Sequence, residues 1–120
     1  MTLLTADIRN RLLKNGRIRQ QLEQGHDDPE YDFLPVVKLF TPDAGCTWLL
    51  TEIDPDDPDI AFGLCDVGIG CPELGSVSLS ELESVRGRFG LPVERDLHFA
   101  PTKTLSAYAA EAWKHGSIRA

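Results

Sequence analysis

No stretch of this sequence comes near the roughly 20 consecutive apolar residues that a membrane-spanning helix needs, so no span is expected. The opening "MTLLTADIRNRLLKNG" carries charges where a secretion signal needs an apolar stretch, which points to the cytoplasm. Cysteine is scarce: Cys46, Cys65 and Cys71 are an odd number with no C-x-x-C pair. That argues against a disulfide framework, fits a reducing compartment and leaves buried thiols as the expectation. His26, His98 and His115 lie far apart and show no ligand spacing with the cysteines, so no metal and no cofactor are expected.

Positive charge is nearly absent from the middle of the chain. Residues 1–24 carry five Lys or Arg against two acids, residues 25–75 only Lys38 against twelve acids, and the remainder six bases against five acids. The middle therefore holds all of the net negative charge, and the slightly positive flanks bring the total to -7. Such a field repels phosphate backbones and favours basic partners, which excludes nucleic acid bound through this segment.

With 120 residues, 42% of them hydrophobic, the chain is long enough for one compact domain. A helical N-terminal segment and linker are expected over 1–32 and an α+β core over 33–120. "LTADIRNRLLKNGRIRQQLEQG" reads as helix with Thr5 as N-cap. Arg11 and Arg19 interrupt the stripe Ile8, Leu12, Ile18, Leu22, and Asn15-Gly16 offers a break, so two short helices are expected there. Arg9, Arg11, Lys14, Arg17 and Arg19 then form a solvated face paired with the acidic middle.

After "GHDDPEYD" the period changes. "LPVVKLFT" (34–41), "CTWLLTEI" (46–53) and "IAFGLCDV" (60–67) are apolar runs bounded by Pro, Gly or Asp, joined by connectors short enough for hairpins. A three-stranded antiparallel meander follows. Closing it with Thr41 opposite Cys46 and Ile53 opposite Ile60 sorts the side chains into two faces. One holds Val37, Leu39, Trp48, Leu50, Ala61, Cys65 and Val67, and the other Val36, Phe40, Leu49, Ile53, Ile60, Phe62 and Leu64. Both are apolar, so helices must cover both sides or one face must serve a partner.

The connector "DPDDPD" fails as a calcium loop. Counted from Asp54, an EF-hand would need Gly at the sixth position and Glu at the twelfth, where Asp59 and Cys65 stand. Proline presets a turn and aspartate caps it, so a hairpin connection is expected, with Asp54, Asp56, Asp57 and Asp59 available to a basic partner. The same register puts Lys38 and Asp66 on the second face, where they form either a structural ion pair or, with Glu73, a small polar site.

Further on, "GIGCPELGSVSL" turns the chain before a short strand near 75–78, without the Lys-Ser/Thr of a phosphate loop. A capping box from Ser78 to Glu81 opens a helix with Leu82, Val85 and Phe89 apolar and Gly90 as its stop. "LPVERDLHF" adds a last strand. "TLSAYAAEAWKHG" is the cleanest helix, with Leu105, Tyr108, Ala109, Ala112 and Trp113 on one face and Gly116 at its end. The expected fold is α+β: a small antiparallel meander of three to five strands packed with N-terminal, middle and C-terminal helices.

"PVVKLFTPDAGCTWLLTEIDPDDPDIAFGLCDVGIGCPELGSVSLSELESVRGRFGLPVERDLHF" followed by "KTLSAYAAEA" resembles a bacterial domain-of-unknown-function family, the one numbered two-nine-five-eight. The blocks "VVKLFTP", "WLLTE" and "PELGSVSL" carry the likeness, which runs from about residue 33. The resemblance implies a setting on plasmids, phages and integrative elements, and it defines no functional residues. In the family pattern Ala often stands at the position of Cys46 and Phe at that of Cys71, which speaks against catalytic or metal roles for those thiols.

The resulting expectation is a non-enzymatic acidic protein-binding module of a mobile element, an inhibitor or modulator of a host nucleic-acid-binding or defence complex. Two alternatives differ in class. One is a small acid-base enzyme using Asp66 or Glu73 with His98, which requires those groups to converge in a pocket. The other is a structural or regulatory homodimer formed through the second sheet face.

Overall fold

The computed structural model describes residues 3–25 and 31–120. Most of the linker "GHDDPEYD", with His26, lies outside them. Three helices and five strands follow in the order α1 (Ala6–Gln24), β1 (Val37–Phe40), β2 (Thr47–Ile53), β3 (Ile60–Asp66), β4 (Glu73–Ser78), α2 (Leu79–Ser84), β5 (Glu94–Arg95) and α3 (Leu105–His115). The strands form one antiparallel sheet in the order β4-β3-β2-β1-β5, with the meander β1 to β4 extended by β5 on the far side of β1. The fold is α+β. No helix among the described residues is long and apolar enough to cross a membrane.

Helices cover both faces of the sheet. On one, Val37, Leu39, Trp48, Leu50 and Ala61 are buried with Leu12 of α1 and Leu79 and Leu82 of α2. On the other, Leu49 and Leu64 are buried under Leu105, Tyr108, Ala109 and Ala112 of α3. Trp113, expected on that apolar face, is exposed and donates its indole N–H to the Pro72 carbonyl at 2.7 Å.

Thr5 caps α1 through a hydrogen bond from the Ile8 amide, yet the expected break at Asn15-Gly16 is absent and α1 is one continuous helix. The reason is a close helix-sheet approach. A Cβ on Gly16 would lie 1.8 Å from the Ile53 carbonyl oxygen, and the Asn15 side chain donates to the Thr51 carbonyl at 2.8 Å. Glycine here removes bulk at a contact, and does not end the helix.

The register of the meander is as expected at one end only. Val37 faces Leu50 and Phe40 faces Thr47, while across β2 and β3 Thr47 faces Asp66 and Leu50 faces Gly63. Between Leu50 and Glu52 the register then shifts by one, so Ile53 faces Ala61 and not Ile60. The extra residue is Thr51, and a one-residue bulge reverses which face every later side chain meets. Ile53 therefore joins the α1 core, against expectation, and Val36, lying before β1 begins, packs there too. Gly63 makes room for the bulge, since a Cβ on it would lie 1.9 Å from the Leu49 carbonyl oxygen.

Ser78 caps α2, its Oγ accepting from the Glu81 amide, which is the first half of the expected capping box, but α2 stops at Ser84, well before Gly90. Asp43 is the cause. Its Oδ2 accepts from the amides of Phe89 and Leu91, and the bare Cα of Gly87 lets the carboxylate sit against the backbone. Those long-range bonds hold 87–91 as a loop closed by an Arg86–Pro92 bridge, with Phe89 outside the core.

Gly16→Ala is expected to lower the unfolding free energy by about 1–3 kcal/mol through overpacking. Ala for Gly in an unobstructed helix would instead gain ~1 kcal/mol. Urea unfolding, with Asn10→Ala on the exposed side of α1 as the control, reads the sign; an unchanged or raised midpoint for Gly16→Ala contradicts the close approach.

Candidate functional site

The eleven residues of α3 leave the hairpin end of their face of the sheet uncovered. A groove of about 880 Å³ opens there between the end of α1, the β2–β3 hairpin, the start of α3 and the edge of β4. Its apolar lining includes Tyr31, Phe33, Phe62 and Leu74. Its charged lining among the described residues is Glu23, Asp32, Glu52, Asp54 and Asp56 against the single cation Arg19.

The bulge at Thr51 builds the groove. Strict alternation from Trp48 and Leu50 would aim Glu52 into the α1 core; the extra residue turns it to the opposite face, level with Phe62. There the buried Glu52 carboxylate accepts from Arg19 Nε at 3.1 Å, from Arg19 Nη2 at 3.3 Å and from Thr51 Oγ1 at 3.1 Å. Arg19 also donates to the Tyr31 carbonyl and lies 5.0 Å over the Phe33 ring, which in turn meets Tyr31 edge-on. The arginine is thus tied to Glu52 and to two walls of the groove, and its charge is engaged inside the protein.

Asp32 holds the third wall. Burial alone would raise its carboxyl, but hydrogen bonds from Ser106 and Thr104, with Arg19 nearby, outweigh burial and hold it below the ordinary aspartate value. The Ser106 bonds, from both backbone N–H and hydroxyl, join residue 32 to the first turn of α3.

The four hairpin aspartates are not equivalent. Asp54, Asp56 and Asp57 are exposed, and Asp54 and Asp57 each accept a hydrogen bond from the amide two residues on, at 2.9 and 3.3 Å, the local turn geometry expected of aspartate. Asp56 accepts from Gln20 of α1 at 2.9 Å. Asp59 instead turns back to the start of α2, where it accepts from the Ser78 hydroxyl and from the Ser80 amide and hydroxyl. Asp54 and Asp56 reach the groove, Asp57 points to solvent, and Asp59 fastens the hairpin to the helix.

Lys38 and Asp66 do share a face and line a second, shallower depression of about 440 Å³. They do not pair with each other. Lys38 Nζ donates to the Ala120 carbonyl at 2.7 Å and lies 3.5 Å from Asp96, while the buried Asp66 accepts from the amides of Gly68 and Ile118. Together they hold the segment after α3 against the sheet. Glu73 faces Cys65 across β3 and β4, on the opposite side of the sheet from Asp66.

His98 is exposed in a turn where its own amide donates to Asp96, and it lines neither the groove nor the depression that holds Asp66. The thiols likewise form no cluster. Cys46 and Cys65 are half-buried and Cys71, against expectation, is exposed; burial, helped by the Glu73 charge, pushes the Cys65 thiol up to about 11. No group of three or more metal-ligating side chains occurs among the described residues.

Asp54 and Asp56, named from the sequence, line the groove, and Arg19, expected to pair with the acidic middle, pairs with Glu52; Glu52 and Asp32 were not among the residues the sequence singled out. One signal was present: Thr51-Glu52 puts two polar residues side by side in "WLLTEI", which no unbroken alternation accommodates.

Asp59 yields a pH prediction. The Ser78 hydroxyl, followed by the Ser80 amide and hydroxyl, holds its carboxyl below the ordinary value of 3.8. A depressed folded-state pKa contributes stability above the unfolded value and loses it as pH falls through the folded one. Asp59→Asn is therefore expected to be less stable than wild type at neutral pH, with the difference closing below about pH 3.8. A difference that stays constant from pH 7 to pH 2.5 in thermal unfolding contradicts the assignment.

The sequence model of a family described as a protein of unknown function (DUF2958) matches residues 3–119, which extends the likeness through α1. No curated protein and no solved structure matches the chain. With nearly all of its length matched, from the helix that closes the groove to the segment held by Lys38 and Asp66, the chain belongs to the DUF2958 family.

Proposed function

We propose that this chain is a non-enzymatic acidic binding module whose groove takes a basic segment of a partner protein. In the mobile-element setting that the family resemblance implies, it would inhibit or modulate a host nucleic-acid-binding or defence complex by occupying the basic surface that nucleic acid needs. The observation that carries this reading is the imbalance of the groove: five carboxylates line it with one arginine, and that arginine is already bound to Glu52.

The physical fit is to lysine or arginine. Their methylene stems lie well on Phe62, Tyr31 and Leu74, while the cationic heads meet Asp54, Asp56 and Glu23 at the rim. Nothing comparable supports acid-base catalysis, since the inner carboxylates Glu52 and Asp32 are held by Arg19 and Ser106 and His98 does not line the groove.

A photo-crosslinking residue at Gln20, beside the rim, tests the reading in bacterial cells against a variant with Glu23→Gln, Asp54→Asn, Asp56→Asn and Asp57→Asn. The expected product is a protein with a basic surface whose affinity falls at least about tenfold in the variant. Its retention should drop as salt rises. Added nucleic acid should release it. Equal capture by the neutralised variant, independent of salt, contradicts the proposal.

A further inference from the structure

We propose that the open edge of β4 receives the basic segment as an added strand, an inference that rests on the binding role proposed above. β4 ends the sheet, and all six of its residues pair with β3 without a register shift. The Leu79 amide donating to the Asp59 carbonyl at 2.7 Å fixes the phase of that ladder. Glu73, Gly75 and Val77 bond to β3, and the N–H and C=O groups of Leu74 and Ser76 point away from the sheet. No group among the described residues pairs with them.

Exposed edges are ordinarily guarded by short length, lysine, proline or a bulge. The other edge of this sheet, β5, is only two residues long. β4 has none of these guards: its sequence ELGSVS contains no basic residue and no proline. Leu74 and Ser76 are both exposed, so an approaching backbone can reach their outward groups.

The edge is also continuous with the groove, because Leu74 and Ser76 line it. A strand laid along β4 becomes the missing wall, and every second side chain projects over Leu74 and Ser76 toward the acidic rim. Charge selects the occupant. A second copy pairing through its own β4 would bring another chain of net charge -7 and a strand, ELGSVS, with no cation for the rim, whereas an extended segment with lysine or arginine at alternate positions supplies both backbone pairing and charge.

A short peptide alternating lysine and valine is the probe, with a version N-methylated on one edge as its control. Hydrogen exchange is expected to show the Leu74 and Ser76 amides unprotected in the protein alone and protected once the peptide binds. Ser76→Pro removes an outward N–H at an edge position where proline is tolerated, and should weaken binding about tenfold. The N-methylated peptide should weaken it similarly with the wild-type chain, which keeps the test sound if the proline variant misfolds. Binding that depends on Glu23, Asp54, Asp56 and Asp57 but leaves both amides exchanging overturns strand addition alone. Absence of carboxylate-dependent binding overturns the groove reading with it. Protection that rises with protein concentration and without peptide assigns the edge to a second copy and overturns the inference.

Discussion

The contact between the middle of α1 and the bulge of β2 is the constraint from which the rest of the structure follows. A bulge frees a carbonyl from its ladder, and a buried carbonyl without a partner costs about 1–3 kcal/mol. Asn15 supplies that partner for Thr51, and Gly16 lets the helix come close enough to deliver it. Helix and bulge therefore stabilise one another: Gly16 lets α1 approach the backbone of β2, and Asn15 satisfies the carbonyl that the extra residue frees.

The bulge has two outputs on opposite faces. It sends Ile53 into the core beneath α1, adding apolar burial where the helix is thin in hydrophobic side chains. It sends Glu52 to the other face, where Arg19, one turn beyond Asn15 on the same helix, meets it. One helix thus fixes both the carbonyl and the carboxylate of adjacent residues. An ion pair at this depth contributes little net stability once desolvation is counted, and its value is better seen in the orientation it imposes on Tyr31, Phe33 and the end of α1. The groove is shaped by that orientation and by the shortness of α3.

Much of the architecture was legible because its signals are local. The three apolar runs, the hairpin connectors, Thr5 and Ser78 as caps and the helical stripe of α3 each depend on residues a few positions apart. The errors occur where a distant residue intervenes. Asn15-Gly16 resembles a helix break unless Ile53 and Thr51 are known to lie against it. "VRGRFG" resembles the end of a helix unless Asp43 is known to hold the amides of Phe89 and Leu91. Lys38 and Asp66 were correctly placed on one face, but their partners come from Asp96 and from the segment after α3.

The acidic surface divides in the same way. That residues 25–75 carry twelve acids and one base is a property of composition, and it sets the sign of the field whatever the fold. Which carboxylates remain available is a matter of tertiary contact, since Asp59 is turned to the serines of α2 while Asp54 and Asp56 stay at the rim. The sequence by itself determined the strands, the helices, the two apolar faces and the negative charge, because periodicity and composition act over short range. Only the tertiary structure decided the bulge, the aim of Glu52 and the groove, because a one-residue shift in a strand is settled by what the neighbouring helix can hydrogen-bond.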